Sequence, residues 1–244
     1  MDTDMAGGKG IEEVAGWFSP LDQLLFTWFL RGQCEEPPGD LVELGVYLGK
    51  SAILVGGHLR PGDRFVVCDL FEAPADEDEN RRECEGTYPG LKRSAFEDNY
   101  LMFHERLPVI VQGQTSTILD HVGSGACRFA HVDASHLYEY VARDVDSVRA
   151  MLRPTGVAVF DDFRAEHAPG TAAAVWEAVF GKGLRPICFT RNKLYGTWGD
   201  AAPMYNALIG WLTGQTGIRW DQHQISDHRL LRLWVADRPR TSQW

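Results

Sequence analysis

Residues 40–51 read DLVELGVYLGKS, a buried apolar strand that runs into a glycine turn and then into a helix, and no other stretch restricts the fold as much. Gly45 can take turn dihedrals that other residues resist. Gly49 omits a side chain where a ligand would approach the backbone, and the amides around Lys50 and Ser51 face anionic groups. Glu43 stands at the carboxyl end of the strand, the edge on which open α/β sheets bind ligands. The same turn also suits a tight strand-to-helix connection with no ligand, so two readings stand on this segment alone.

Residues 64–68, RFVVC, form a second apolar run of parallel-strand length. It ends in Asp69, about twenty residues past the turn, where an acid accepts hydrogen bonds from a ribose diol. A dinucleotide fingerprint needs G-x-G-x-x-G; here three residues separate Gly45 from Gly49, which argues against a nicotinamide dinucleotide. Further on, residues 129–139 read FAHVDASHLYE and residues 153–163 read RPTGVAVFDDF, with a helical stretch between them.

With ELGVYLGKS at 43–51, Asp69 and these two strand ends, the chain resembles class I S-adenosylmethionine-dependent methyltransferases. Within them it is similar to the macrocin O-methyltransferase-like group and its relatives in methyltransferase family 24. The pattern runs from residue 42 to about residue 194 and bears on fold and cofactor more than on substrate. The resemblance implies S-adenosylmethionine bound by Glu43, Gly45, Tyr47, Gly49, Ser51, Asp69, Gln114, Thr115 and Asp133. Glu43 would contact the methionine end or order its loop, Asp69 would hold the ribose, and Gln114 and Thr115 would lie on the adenine-side loop after the third strand. The resemblance also implies a divalent metal on Asp133, Asp161 and Asp162. Three carboxylates with no Cys or His suit Mg²⁺ better than zinc. Neighbouring strand residues point to opposite faces, so Asp161 and Asp162 converge on one ion only if the chain leaves the strand after Phe160. Otherwise one acid sits near the cofactor and the other caps the next segment.

The resemblance breaks at one position. Where relatives carry the second acid of I-D-G-D-H, this chain has Ser135, followed by His136. A hydroxyl is a poor proton acceptor near neutral pH, whereas an imidazole titrates in the useful range. His136 is therefore the candidate general base beside Asp133, with the metal alone or His167 as the fallback. A histidine that caps or orders the start of the following helix is an equal reading of His136.

At 244 residues with 44% hydrophobic content, a single domain over residues 16–244 is expected behind a loosely ordered segment 1–15. A formal charge of −10 weighs against nucleic-acid or anionic-membrane partners. No apolar run approaches the roughly eighteen residues of a membrane span, and the start, MDTDMAGGKG, lacks signal-peptide features, so a cytoplasmic location is expected. Cys34, Cys68, Cys84, Cys127 and Cys188 form no C-x-x-C pair; Cys68, Cys127 and Cys188 lie in apolar runs and read as buried hydrophobes.

Ser19-Pro20 opens a helix with Leu21, Leu24, Leu25, Trp28 and Phe29 on one face, ended by Gly32. Strands at 40–45, 64–69, 108–112, 127–133 and 156–161 alternate with helices except after the third, and 184–190 with 194–198 make a hairpin. This predicts a doubly wound, mostly parallel, seven-stranded α/β sheet of the Rossmann-like methyltransferase type. The acidic insertion 71–93, carrying Pro74, Gly86, Pro89 and Gly90, reads as a lid or as a solvated loop. In the extension 199–244, a helix at 201–211 and a strand at 230–235 are expected. Trp198, Tyr205, Trp211, Trp220 and Trp234 would line an acceptor pocket, cover the interface of a homo-oligomer or simply pack. The expected activity is Mg²⁺-dependent O-methylation of a small hydroxylated molecule: a sugar, a polyol, a phenol or a natural-product intermediate. Two other classes stay open, a metal-dependent oxidoreductase or hydroxylase-like relative and a non-catalytic cofactor-binding protein of the same fold.

Overall fold

The computed structural model describes residues 10–75, 78, 81–82 and 91–235. They group into two compact units, one built from residues up to 122 together with 133–135, the other from 123–132 and from 136 onward.

In the first unit, Ser19 caps α1 (Pro20–Gly32): its Oγ accepts the Asp22 N–H at 3.1 Å, and Pro20 occupies the first turn. The buried stripe follows Leu21, Leu25 and Phe29 with Phe26 and Leu30 beside them. Leu24, expected on that face, lies on the far side of the stripe and is 50% exposed. Three parallel strands, β1 (Asp40–Leu44), β2 (Phe65–Asp69) and β3 (Val109–Gln112), stand in the order β3-β2-β1. Every residue of β1 is buried, as in a parallel strand covered on both faces. Two helices, α2 (Lys50–Gly56) and α3 (Arg93–Leu101), belong to this unit. Ile11–Glu13 wind into a 3-10 turn within the segment expected to be loose, and a second 3-10 helix, Thr115–Asp120, follows β3 where no helical segment was expected. Most of the insertion expected at 71–93, with Cys84, Gly86, Pro89 and Gly90, lies outside the described residues, as do residues 1–9 and 236–244.

In the second unit, β4 (Cys127–Val132) runs parallel to β5 (Leu152–Phe160). The predicted hairpin is present as β6 (Arg185–Phe189) and β7 (Leu194–Thr197), antiparallel to each other, with β7 also antiparallel to β5. The extension then adds β8 (Ile218–Ile225) and β9 (His228–Val235), a hairpin whose second strand pairs in parallel with β6. The described residues thus hold nine strands where seven were predicted. β5 also begins four residues earlier than the apolar run suggested, because Leu152 pairs with Cys127 across a register shift. Helices α4 (Tyr138–Met151) and α5 (Pro169–Gly181) pack on each other, and α6 (Ala202–Leu212) packs on β6. Cys68, Cys127 and Cys188 are fully buried, as expected. No helix among the described residues is long and apolar enough to cross a membrane.

Candidate functional site

The glycine turn of the first unit bends through three left-handed residues, Gly45 (φ +79°), Tyr47 (φ +47°) and Gly49 (φ +91°). Asp69, the last residue of β2, holds it in place: one carboxylate oxygen accepts the N–H of Val46 at 2.7 Å and of Tyr47 at 3.1 Å, and the other accepts the N–H of Phe71 at 2.7 Å. Burial raises the pKa of Asp69 and outweighs these three bonds, which pull it down. A Cβ on Gly45 would lie 2.1 Å from the Asp133 carbonyl oxygen, and one on Gly49 would lie 2.9 Å from the Phe96 ring. Both glycines are therefore demanded by dihedral angle and by close packing within the protein, so a ligand would meet the backbone of this turn elsewhere than at the missing side chains. The Ser51 hydroxyl donates to the buried Glu43 carboxylate, tying the strand to the first turn of α2. The N–H of Asp133 donates to the Leu44 carbonyl at 2.8 Å, and the N–H of Gly113 donates to the Asp69 carbonyl at 2.9 Å, which sets Gln114 and Thr115 beside the end of β2. All nine residues expected to hold the cofactor fall in this one unit. The N-terminal segment lies against the same turn: Trp17 stacks on Tyr47 with ring centroids 5.7 Å apart, and Glu12 pairs with Lys50 at 3.0 Å.

In the second unit the chain does leave β5 at Phe160, and Asp162 takes φ +49°. The two aspartates then turn to different partners. Asp161 pairs with the buried ammonium of Lys193, which also lies 3.0 Å from His131 Nε2, while its other oxygen accepts the Asp162 N–H at 2.8 Å. Asp162 Oδ2 lies 2.9 Å from His136 Nε2 and 3.7 Å from His167 Nε2. Burial works to raise the pKa of Asp161, but the charge and hydrogen bond of the Lys193 ammonium outweigh it and hold the group below the usual carboxylate value. For Asp162, burial is likewise outweighed, here by the hydrogen bond and charge of His136 and by His167 and Lys193. Burial first, and the Lys193 ammonium second, hold His131 far below the usual imidazole value, so it is neutral. Gly170, in the first turn of α5, brings the two loops close: a Cβ there would lie 2.5 Å from the His136 carbonyl oxygen.

These residues do not fit the all-carboxylate Mg²⁺ site expected of Asp133, Asp161 and Asp162. The oxygens of Asp161 already serve a buried ammonium and an amide, so a cation there would share its carboxylate with a like charge. Asp162 faces imidazoles, donors that Mg²⁺ disfavours. His136 is brought against Asp162, and the fallback His167 joins the same carboxylate. Lys193 and His131 were missed. Lys193 sits in the Arg191-Asn192-Lys193 turn, where a charged residue reads as solvated, yet it is 2% exposed. His131 did carry a signal, since it precedes Asp133 by two residues and two is the strand period.

A family model described as a methyltransferase domain matches residues 42–163. No curated protein matches the chain in sequence. Among solved structures, the chain is similar to apo CalS11, a TDP-rhamnose 3'-O-methyltransferase of calicheamicin biosynthesis, at 20% identity and TM-score 0.52, over 74% of this chain and 80% of that one. It is similar to the O-methyltransferase NovP at 18% identity and TM-score 0.60, over 73% and 79%. It is also similar to the SAH-bound methyltransferase PaMTH1 of Podospora anserina at 14% identity and TM-score 0.51, over 78% and 86%. With its glycine turn, its strand-end acids and half its length inside that family model, the chain belongs to the methyltransferase-domain family it resembled in sequence, methyltransferase family 24.

Proposed function

We propose that the chain is an S-adenosylmethionine-dependent O-methyltransferase whose acceptor is a small hydroxylated molecule: a sugar, a polyol or a phenol. The observation that carries this reading is the glycine turn, held by Asp69 through two of its own amides and flanked by the Glu43–Ser51 contact. Family membership and the likeness to CalS11 and NovP support it. When bound, S-adenosylmethionine supplies an electrophilic methyl group on a sulfonium; the acceptor oxygen forms the new C–O bond, and the C–S electron pair stays on sulfur. The protein's own task is to fix the donor and to take away the hydroxyl proton. In this reading Glu43, Gly45, Tyr47, Gly49, Ser51, Asp69, Gln114, Thr115 and Asp133 shape the donor site. The proton leaves at His136, which Asp162 orients through their 2.9 Å contact. Asp162 also stabilises positive charge on the imidazole.

Transfer of labelled methyl from S-adenosylmethionine to a panel of sugars, polyols and phenols tests the proposal. With an acceptor in hand, His136→Asn should lower the transfer rate by about 10²–10⁴ with donor affinity unchanged. A chain that binds no S-adenosylmethionine, or a variant as fast as wild type, would sink the reading.

A further inference from the structure

The geometry points to a binding site for one divalent transition-metal ion of the imidazole-favouring class, held by His136, Asp162 and His167. It deepens the proposed function, resting on the reading that this cluster handles the acceptor hydroxyl: His136 is the proton acceptor in the ion-free site and a ligand when the ion is bound, and ion binding is measured independently of methyl transfer. Asp162 Oδ2 is 2.9 Å from His136 Nε2 and 3.7 Å from His167 Nε2, and the three donor atoms lie within 4.8 Å of one another. Ligands about 2.1 Å from a common ion, at tetrahedral or octahedral angles, stand roughly 3–3.5 Å apart. The two distances to Asp162 bracket that spacing. The imidazoles meet edge to face, with ring centroids 5.2 Å apart and planes at 83°, so they converge on the carboxylate instead of stacking.

The backbone holds these ligands on two adjoining segments. From Asp162, whose φ is +49°, successive turns run through Ala165 (N–H to the Asp162 carbonyl, 3.1 Å) and Ala168 (N–H to the Ala165 carbonyl, 3.1 Å), carrying His167 back toward the carboxylate. Gly170, without a Cβ, lets this segment abut the backbone of His136. The His167 side chain is 67% exposed, so it has the freedom to close the last gap.

The donor set decides the metal. Two imidazole nitrogens and one carboxylate oxygen suit Zn²⁺, Co²⁺, Ni²⁺ or Fe²⁺, whereas Mg²⁺ prefers oxygen alone. Lys193 meanwhile holds Asp161 in a buried ion pair, whereas the partners of Asp162 among the described residues are two imidazoles and no ammonium. Three protein ligands leave coordination positions open, the arrangement of sites that bind a substrate oxygen.

Co²⁺ serves as the probe. The full chain, stripped by chelator and dialysed, is titrated with Co²⁺ while its visible absorption is followed. The bands should saturate at one equivalent, disappear on adding Zn²⁺ and persist in a large excess of Mg²⁺. His167→Ala changes an exposed side chain and should leave circular dichroism unaltered. It should weaken Co²⁺ binding by at least roughly the 10–100-fold that loss of even an outer-shell partner costs; Asp162→Asn should do the same. Unchanged Co²⁺ affinity in His167→Ala, or displacement of Co²⁺ by Mg²⁺ on equal terms, overturns the site. A wild-type chain that takes Co²⁺ in this way yet binds no S-adenosylmethionine in calorimetry supports the metal site and counts against the proposed function.

Discussion

Replacing Lys193 by Met isolates the contact on which the division between Asp161 and Asp162 depends. Lys193 is 2% exposed and Asp161 is 8% exposed, so their ion pair is out of reach of solvent screening. Methionine keeps most of the apolar stem, so the loss is electrostatic and not a cavity. Removing one partner of a buried pair costs about 3–5 kcal/mol, because the remaining charge is left without compensation. The 3.0 Å contact to His131 adds about 1 kcal/mol or less. Neutralising both partners, in Lys193→Met with Asp161→Asn, should recover most of that and land within about 1–2 kcal/mol of wild type. Urea unfolding of the two single variants and the double variant at neutral pH gives the coupling energy directly. The pH dependence carries a fixed sign. The folded pKa of Asp161 is lowered, so the pair's contribution is present above the unfolded carboxylate value of about 4 and is lost as pH falls through the lowered one. The deficit of Lys193→Met should therefore shrink toward acid. A single variant losing less than about 1 kcal/mol, or a double variant as unstable as the single, would refute the reasoning.

Two further outcomes test the turn of the first unit. Gly45→Ala places a Cβ 2.1 Å from a backbone oxygen at φ +79°; left-handed strain alone costs about 1–2 kcal/mol, and the collision adds to it, so thermal unfolding should show a loss above about 2 kcal/mol. Asp69→Ala orphans three backbone amides at about 1–3 kcal/mol each where they stay buried, so denaturant unfolding should show at least about 2 kcal/mol lost along with donor affinity; a variant of wild-type stability would return Asp69 to the role of a ribose ligand alone.

What was legible in the sequence follows from which signals are local. The run from Leu41 to Leu44, the glycines after it and Asp69 declared strand, turn and strand end, because apolar length and positive-φ residues are properties of short segments. The hairpin around residues 191–193 was legible for the same reason. β8 was not: IRWDQHQI alternates with charged and amide side chains, and its strand character comes from pairing along its length with β9. At the site, the tandem aspartates were visible, yet the partner of each is fixed by long-range contacts. Lys193 reaches Asp161 across 32 positions and His136 reaches Asp162 across 26, and no periodicity encodes such pairings. The resemblance supplied three carboxylates for one cation, whereas burial of Lys193 gave one of them to an ammonium.

The stacking of Trp17 on Tyr47, with the Glu12–Lys50 pair beside it, has a consequence for donor binding. Both contacts fall on side chains of the turn and of the first residue of α2, so a donor that needs those side chains competes with the N-terminal segment for them. The side chain of Glu12 is 63% exposed, so added salt screens the pair. Raising ionic strength should then loosen the hold of the N-terminal segment on the turn, so the affinity of a donor that competes with it should rise with salt in wild type and lose that dependence in Glu12→Gln.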